Sequence, residues 1–135
     1  MTPVTYPNSQ EQKIAAGSIH SEPLLGTWLN TNTATRGITS AILSHHSGQI
    51  TVRIVVAGDP GPSEWGETEV SLFAADASSS EAMAFSAFYD FGFMETHLQA
   101  HVRQGVLIIA KFDRFEDGSG RSSYFSKEFF YRAKS

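Results

Sequence analysis

An all-β, up-and-down antiparallel barrel of about eight strands is the fold this sequence predicts, and three observations predict it. Short β-like runs, most near the usual ~5–10-residue strand length, recur from Leu24 onward, separated by Gly, Pro, Ser, Asn and Asp. Helical periodicity is weak across that stretch, whereas aromatic and β-branched residues are dense. Trp28 stands in the first run and Arg132 in the last. Closure of a sheet makes first and last strands neighbours, and a guanidinium stacked on an indole contributes about 0.5–2 kcal/mol.

Met1 to Pro23 lies outside the pattern. Pro3, Pro7 and Pro23 punctuate a polar stretch that reads as a loose N-terminal arm over residues 1–23, with a short helical turn around Gln10 to Ala16. It is either a disordered tail or a latch over one mouth of a barrel, anchored by Tyr6 and Ile14. A single barrel domain then spans residues 24–135.

Within that domain Leu24 to Asn30 forms the first strand. Ile38 to Ser44 follows a Thr/Asn/Gly-rich connection, and Gln49 to Ala57 follows a turn of His45-His46-Ser47-Gly48. Gly58 to Ser63 holds Pro60 and Pro62 and cannot be a central strand, because proline removes ladder donors. Glu67 to Ala75 is the fourth strand, broken off by Ser78-Ser79-Ser80. Ala82 to Phe93 is the fifth; Glu81 to Ala84 has some helical character, but the aromatic residues beyond it favour a strand. Thr96 to Val102, Val106 to Arg114 and Tyr124 to Arg132 complete the set, with Glu116 to Gly120 as the clearest hairpin signal. Such strands hide their edges by closing or by packing as a sandwich. Closure alone removes the edges, and the Trp28–Arg132 pair favours it.

The 135 residues suffice for one domain with its own core. Cysteine is absent, which excludes disulfide and thiolate chemistry. A formal net charge of -4, with scattered Arg and Lys, argues against nucleic-acid or anionic-membrane partners. No run approaches the ~20 apolar residues of a membrane helix, so membrane insertion is not expected. The opening residues lack a charged segment followed by an apolar one, so the expected location is cytoplasmic, with secretion of a trimmed chain as the alternative.

Gly26-Thr27-Trp28 near the first strand, with Arg132 in the last, resembles the calycin superfamily of lipocalins, fatty-acid-binding proteins and avidins. That resemblance implies a calycin-like barrel holding a small, often apolar molecule in its lumen. Gly26 to Asn30 is most similar to the avidin opening, which implies Asn30 as a ligand contact. The chain from Leu24 also resembles a set of short uncharacterised bacterial proteins. The elements in common are Asn32 to Ile38, Trp65-Gly66 and Asp117-Gly118-Ser119-Gly120-Arg121, and they bring no activity with them.

Strand parity suggests which residues line the lumen. If Arg132 points inward to meet Trp28, then Phe130, Glu128, Ser126 and Tyr124 share its face. A glutamate inside a barrel needs a partner or a proton. Glu128 would pair with Arg132 or Lys111, orient a polar ligand group, or act as an acid with raised pKa. The alternative turns the strand over, exposing Glu128 and Arg132 while Phe125, Phe129 and Tyr131 fill the core. The candidate ligand-binding set is therefore Trp28, Asn30, Tyr124, Glu128, Phe130 and Arg132.

Other constellations point to less. Glu95, His97, Gln99, His101 and Arg103 alternate with Thr96, Leu98, Ala100 and Val102, which reads as a solvated outer face rather than a histidine metal site. Asp113, Glu116 and Asp117 cluster near the last hairpin, where a tight turn explains them better than calcium does. No Gly-x-Ser-x-Gly elbow, Walker loop or His-Glu-x-x-His occurs, and neither metal nor cofactor is expected.

Ten Phe, four Tyr and two Trp exceed the needs of a simple core. Aromatics on both faces of one strand (Phe85, Phe88, Tyr89, Phe91) imply either a wide apolar lumen or an outer face covered in a homo-oligomer. Three functions follow. The leading one is binding of a small apolar or amphipathic molecule in the lumen. The second is an isomerase or cyclase of the allene-oxide-cyclase type, confining a flexible polyene or polyketide-like substrate, with Glu128 and Tyr124 as proton donor pair. The third is a ligand-free oligomeric scaffold, favoured if the lumen is packed and the exterior aromatic.

Overall fold

The computed structural model describes residues 19–58 and 60–134. The turn expected at Gln10 to Ala16, and the anchors Tyr6 and Ile14, lie outside the described residues. Nine strands form one antiparallel sheet: β1 (Gly26–Asn30), β2 (Ile38–His46), β3 (Gln49–Val56), β4 (Ser63–Glu69), β5 (Ser71–Ala74), β6 (Ala82–Asp90), β7 (Met94–Arg103), β8 (Val106–Phe115) and β9 (Tyr124–Arg132). Their order is β4-β3-β2-β1-β9-β8-β7-β6-β5, a meander whose first and last strands pair in the middle. The sheet curls into a nearly closed barrel.

The count is nine rather than eight because the expected fourth strand is split. Only Val70 separates β4 from β5. β4 pairs with β3, from Val56↔Ser63 to Thr51↔Glu69, whereas β5 pairs with β6 through Ser71↔Ser86 and Phe73↔Ala84. One segment therefore serves both free edges, and it must turn the corner between them. Side chains and single backbone bonds tie that corner. Val70 N–H donates to the Ile50 carbonyl at 3.0 Å. Thr68 Oγ1 donates to the Phe88 carbonyl at 3.3 Å. The Tyr89 hydroxyl lies 2.9 Å from the Gly66 carbonyl oxygen and 3.2 Å from that of Val52.

The tight turns sit where two residues suffice. Ser47-Gly48 and Gln104-Gly105 all have positive φ, the geometry whose twist matches that of the flanking strands. β2 therefore runs on through His45 and His46 before turning, and His46 stands 3.4 Å from Glu67 on β4. β6 is a strand from Ala82, without a helical start.

Alternation sorts the side chains. Trp28, Val52, Ile54, Phe85, Leu98 and Phe130 point inward and are buried to within 1% of completely. A side chain lining a water-sized void would retain accessible area, so the centre of the lumen is filled. On β9 the inward set is Ser126, Glu128 and Phe130, and Phe125, Phe129 and Tyr131 are exposed. The turned-over alternative for this strand does not occur.

At the seam Trp28 and Arg132 are register partners, with the guanidinium 4.5 Å from the indole. The same guanidinium donates to the Leu25 carbonyl at 2.7 Å and to that of Pro23, and the indole N–H donates to Leu24 at 3.0 Å. Residues 19–25 run beneath this end, where His20 bridges Glu81 in parallel. One Arg thus binds the entering chain and the last strand together.

Two measurements test this closure. Trp28→Ala and Arg132→Ala should each lower unfolding free energy in urea by more than about 1 kcal/mol, and the double variant by less than the sum. Burial, then the nearby Glu67 charge, pushes the Tyr89 phenol up to about 12. The folded state thus holds this proton more tightly than an unfolded chain titrating near pH 10. Its contribution is whole below pH 10 and disappears as the pH rises through about 12. Tyr89→Phe should cost about 1–2 kcal/mol at neutral pH and flatten the alkaline loss of stability.

Candidate functional site

Glu128 is the ionisable group that parity brings to the inner face of β9, and its partners define one end of the barrel. Its Oε2 accepts from Asn30 Nδ2 at 2.5 Å and from Thr35 Oγ1 at 2.5 Å. The Asn30 amide also donates to the Ile38 carbonyl at 2.8 Å, and its oxygen accepts from the Asn32 N–H at 2.8 Å. Thr35 Oγ1 accepts from Gly37 N–H at 3.0 Å. A Cβ at Gly37 would stand 2.5 Å from Glu128 Oε1, so any side chain there would push the carboxylate out of this position. These bonds hold the β1–β2 connection against β9. A cleft of about 190 Å³ beside them is lined by Asn30, Thr31, Asn32, Lys127, Glu128 and Phe129.

The expected partners of Glu128 are engaged elsewhere. Arg132, at the C-terminal end of β9, serves the Leu25 and Pro23 carbonyls. Lys111 pairs with Asp113, which is buried and accepts from Thr96 Oγ1 at 2.5 Å. Lys111 also lies 5.0 Å from the Tyr124 ring, which is half-exposed and packs at 6.2 Å from Phe115. Glu128 and Tyr124, expected to work as a proton-donor pair, are four residues apart along one strand, about 13 Å at strand rise. The structure does not bring them together.

Of the remaining candidates, Trp28 and Phe130 belong to the filled core, and the Asn30 amide is engaged by Glu128, Ile38 and Asn32. The inward triad of Thr96, Lys111 and Asp113 escaped the sequence reading. Its signal was present: Lys111 and Asp113 continue the alternation of Leu107 and Ile109 on β8. Asp113, close in sequence to the hairpin acids, is buried on the inner face of β8. The hairpin organises itself instead. The Ser119 hydroxyl first, then the Ser119 N–H at 3.0 Å and Arg121 at 2.5 Å, hold the Asp117 carboxyl down at about 2. Arg121 stacks over Phe115 at 4.2 Å. Among the described residues, no group of three or more His, Asp or Glu is placed to hold a metal.

The outer face of β5 to β9 is the other candidate surface. Register aligns Phe73, Ala84, His101, Ile108 and Phe129 in one cross-strand row. Phe88, His97, Phe112 and Phe125 form a second row, with Phe88 against His97 at 4.7 Å and Phe112 against Phe125 at 5.8 Å. Between them runs Ser71, Ser86, Gln99, Ala110 and Lys127. A groove of about 550 Å³ opens on this face along the middle row, lined by Phe73 and by Ala84, Ser86, Gln99, His101, Ala110 and Lys127. The β7 residues expected on a solvated outer face are there, but they cross a surface that is largely aromatic.

No protein-family description matches this chain, and no curated protein or solved structure resembles it significantly.

The role of Glu128 has a direct check. Glu128→Ala leaves the buried Asn30 amide short of an acceptor and should lower stability by about 1–3 kcal/mol in thermal or urea melts. Tyr124→Phe at a half-exposed site should stay within about 0.5 kcal/mol of the parent.

Proposed function

We propose that this chain is an assembly module, a barrel that docks another protein on its outer aromatic face. One observation carries the reading: six large aromatics of β5, β6, β8 and β9 remain 40–64% exposed on the outer face, while the largest inward side chains are sealed. Monomeric soluble proteins rarely leave a contiguous apolar surface of that extent uncovered. A calycin-like relationship is part of the proposal, supported by the stacked Trp28–Arg132 pair at the seam between first and last strands.

The filled centre leaves lumen binding without a chamber beside Ile54, Leu98 and Phe130. The separation of Glu128 from Tyr124 likewise removes the support for a cyclase. A second reading keeps a small amphipathic ligand but moves it outside. A groove of about 550 Å³ with Ser86, Gln99, His101 and Lys127 among apolar walls falls within the ~300–1,000 Å³ range of ligand sites.

Native mass spectrometry of protein from its own host separates the two. A protein complex that Phe112→Ser and Phe125→Ser both abolish, with the fold intact by circular dichroism, is the expected result. A monomer carrying a small molecule released on denaturation would replace the docking reading with the second one.

A further inference from the structure

We propose that the occupant of the aromatic face is a second copy of this chain, packed about a two-fold axis that runs along the groove. The inference rests on the docking reading above and names its partner. Area is the first argument. At about 200 Å² per ring, the six exposed aromatics alone offer roughly 600 Å². A standard interface needs about 800 Å² per partner, so these rings and the groove floor suffice.

Self-complementarity is the second argument, and it is written on β7. Its outer residues read Glu95, His97, Gln99, His101 and Arg103, centred on Gln99 in the groove floor. The sequence is symmetric in residue type about that centre and opposite in charge at its ends. A two-fold axis along the groove turns the second copy over, so that residues on one side of the floor meet those on the other. Arg103 of each copy then faces Glu95 of its partner, and His97 faces His101.

The flanking strands obey the same rule. Phe112 and Ile108 flank Ala110 on β8, and Phe125 and Phe129 flank Lys127 on β9. Each apolar ridge therefore meets an apolar ridge, as two packed sheets require. A two-fold axis along the strands would instead set Arg103 against Arg103 and Glu95 against Glu95. For a chain of net charge -4, this face also keeps carboxylates out of the contact centre. Lys127 meets its own copy across the axis at one end of the groove, where its long stem reaches solvent.

Sedimentation velocity on the purified full-length chain, over a concentration series, provides the test. The expected species is a dimer that Phe112→Ser and Phe125→Ser each convert to folded monomer. Glu95→Arg and Arg103→Glu should each weaken the dimer at least tenfold, and the double reversal should restore it. A dimer that tolerates both Phe variants would overturn the face. A Phe-dependent dimer indifferent to the charge reversals, or one the double variant fails to rescue, would overturn the two-fold arrangement. A purified chain that stays monomeric to about 100 µM overturns self-association. If host-derived protein then still holds a different protein through Phe112 and Phe125, the docking reading survives. If it holds none, both fall.

Discussion

The contact of Arg132 with Trp28 is the constraint on which the architecture turns. Cation–π stacking aligns the last strand with the first, and the remaining guanidinium donors take the Leu25 and Pro23 carbonyls. A lysine would supply the charge but not the planar fork that serves indole and backbone together. With β1 and β9 joined in the middle of the sheet order, the free edges belong to β4 and β5. Those two are one segment bent at Val70, so the two free edges lie side by side, tied by the Thr68 and Tyr89 hydroxyls rather than by a ladder.

Closure has consequences for the interior. Small residues such as Ala41, Ala82, Ala87 and Ala100 alternate with Trp28, Phe85, Ile54 and Leu98 on the inner face, and the large side chains fill what the small ones leave. Two groups of polar side chains in the interior are mutually satisfied. Glu128, Asn30 and Thr35 answer one another, and Lys111, Asp113 and Thr96 do the same. Buried charge in such arrangements is held by local bonds and is not poised for a distant substrate. Gly37 completes the first group by absence: without its side chain the Glu128 carboxylate fits beneath the β1–β2 connection.

The exterior inverts the usual economy of a small barrel. Polar residues would suffice there, yet β6, β8 and β9 carry Phe88, Phe112, Phe125, Phe129 and Tyr131 outward, each 40% exposed or more. None is needed to fill the core, which is already closed by the inward set. A strand buried on both faces is the pattern of a layer between two others. Among the described residues no second layer covers these rings, which is why the docking and two-fold proposals converge on this face.

Much of this was legible in the residues. The run of short strands, the turn chemistry and the paired ends of the chain determined an all-β barrel, because side-chain period and turn geometry are local properties. Parity on β9 put Glu128 and Phe130 on one face, and the excess of aromatics pointed either to a wide apolar lumen or to a covered outer face. Three matters lay beyond reach. The split at Val70 depends on two distant edges needing one segment. The partners of Glu128, and the Thr96 hydroxyl that meets Asp113, depend on which strands lie adjacent, at separations no spacing rule encodes. The filling of the lumen depends on how inward volumes from all the strands sum. Sequence by itself determined which residues alternate and where the chain turns; tertiary structure alone decided what meets across the barrel, because register and closure set those distances together.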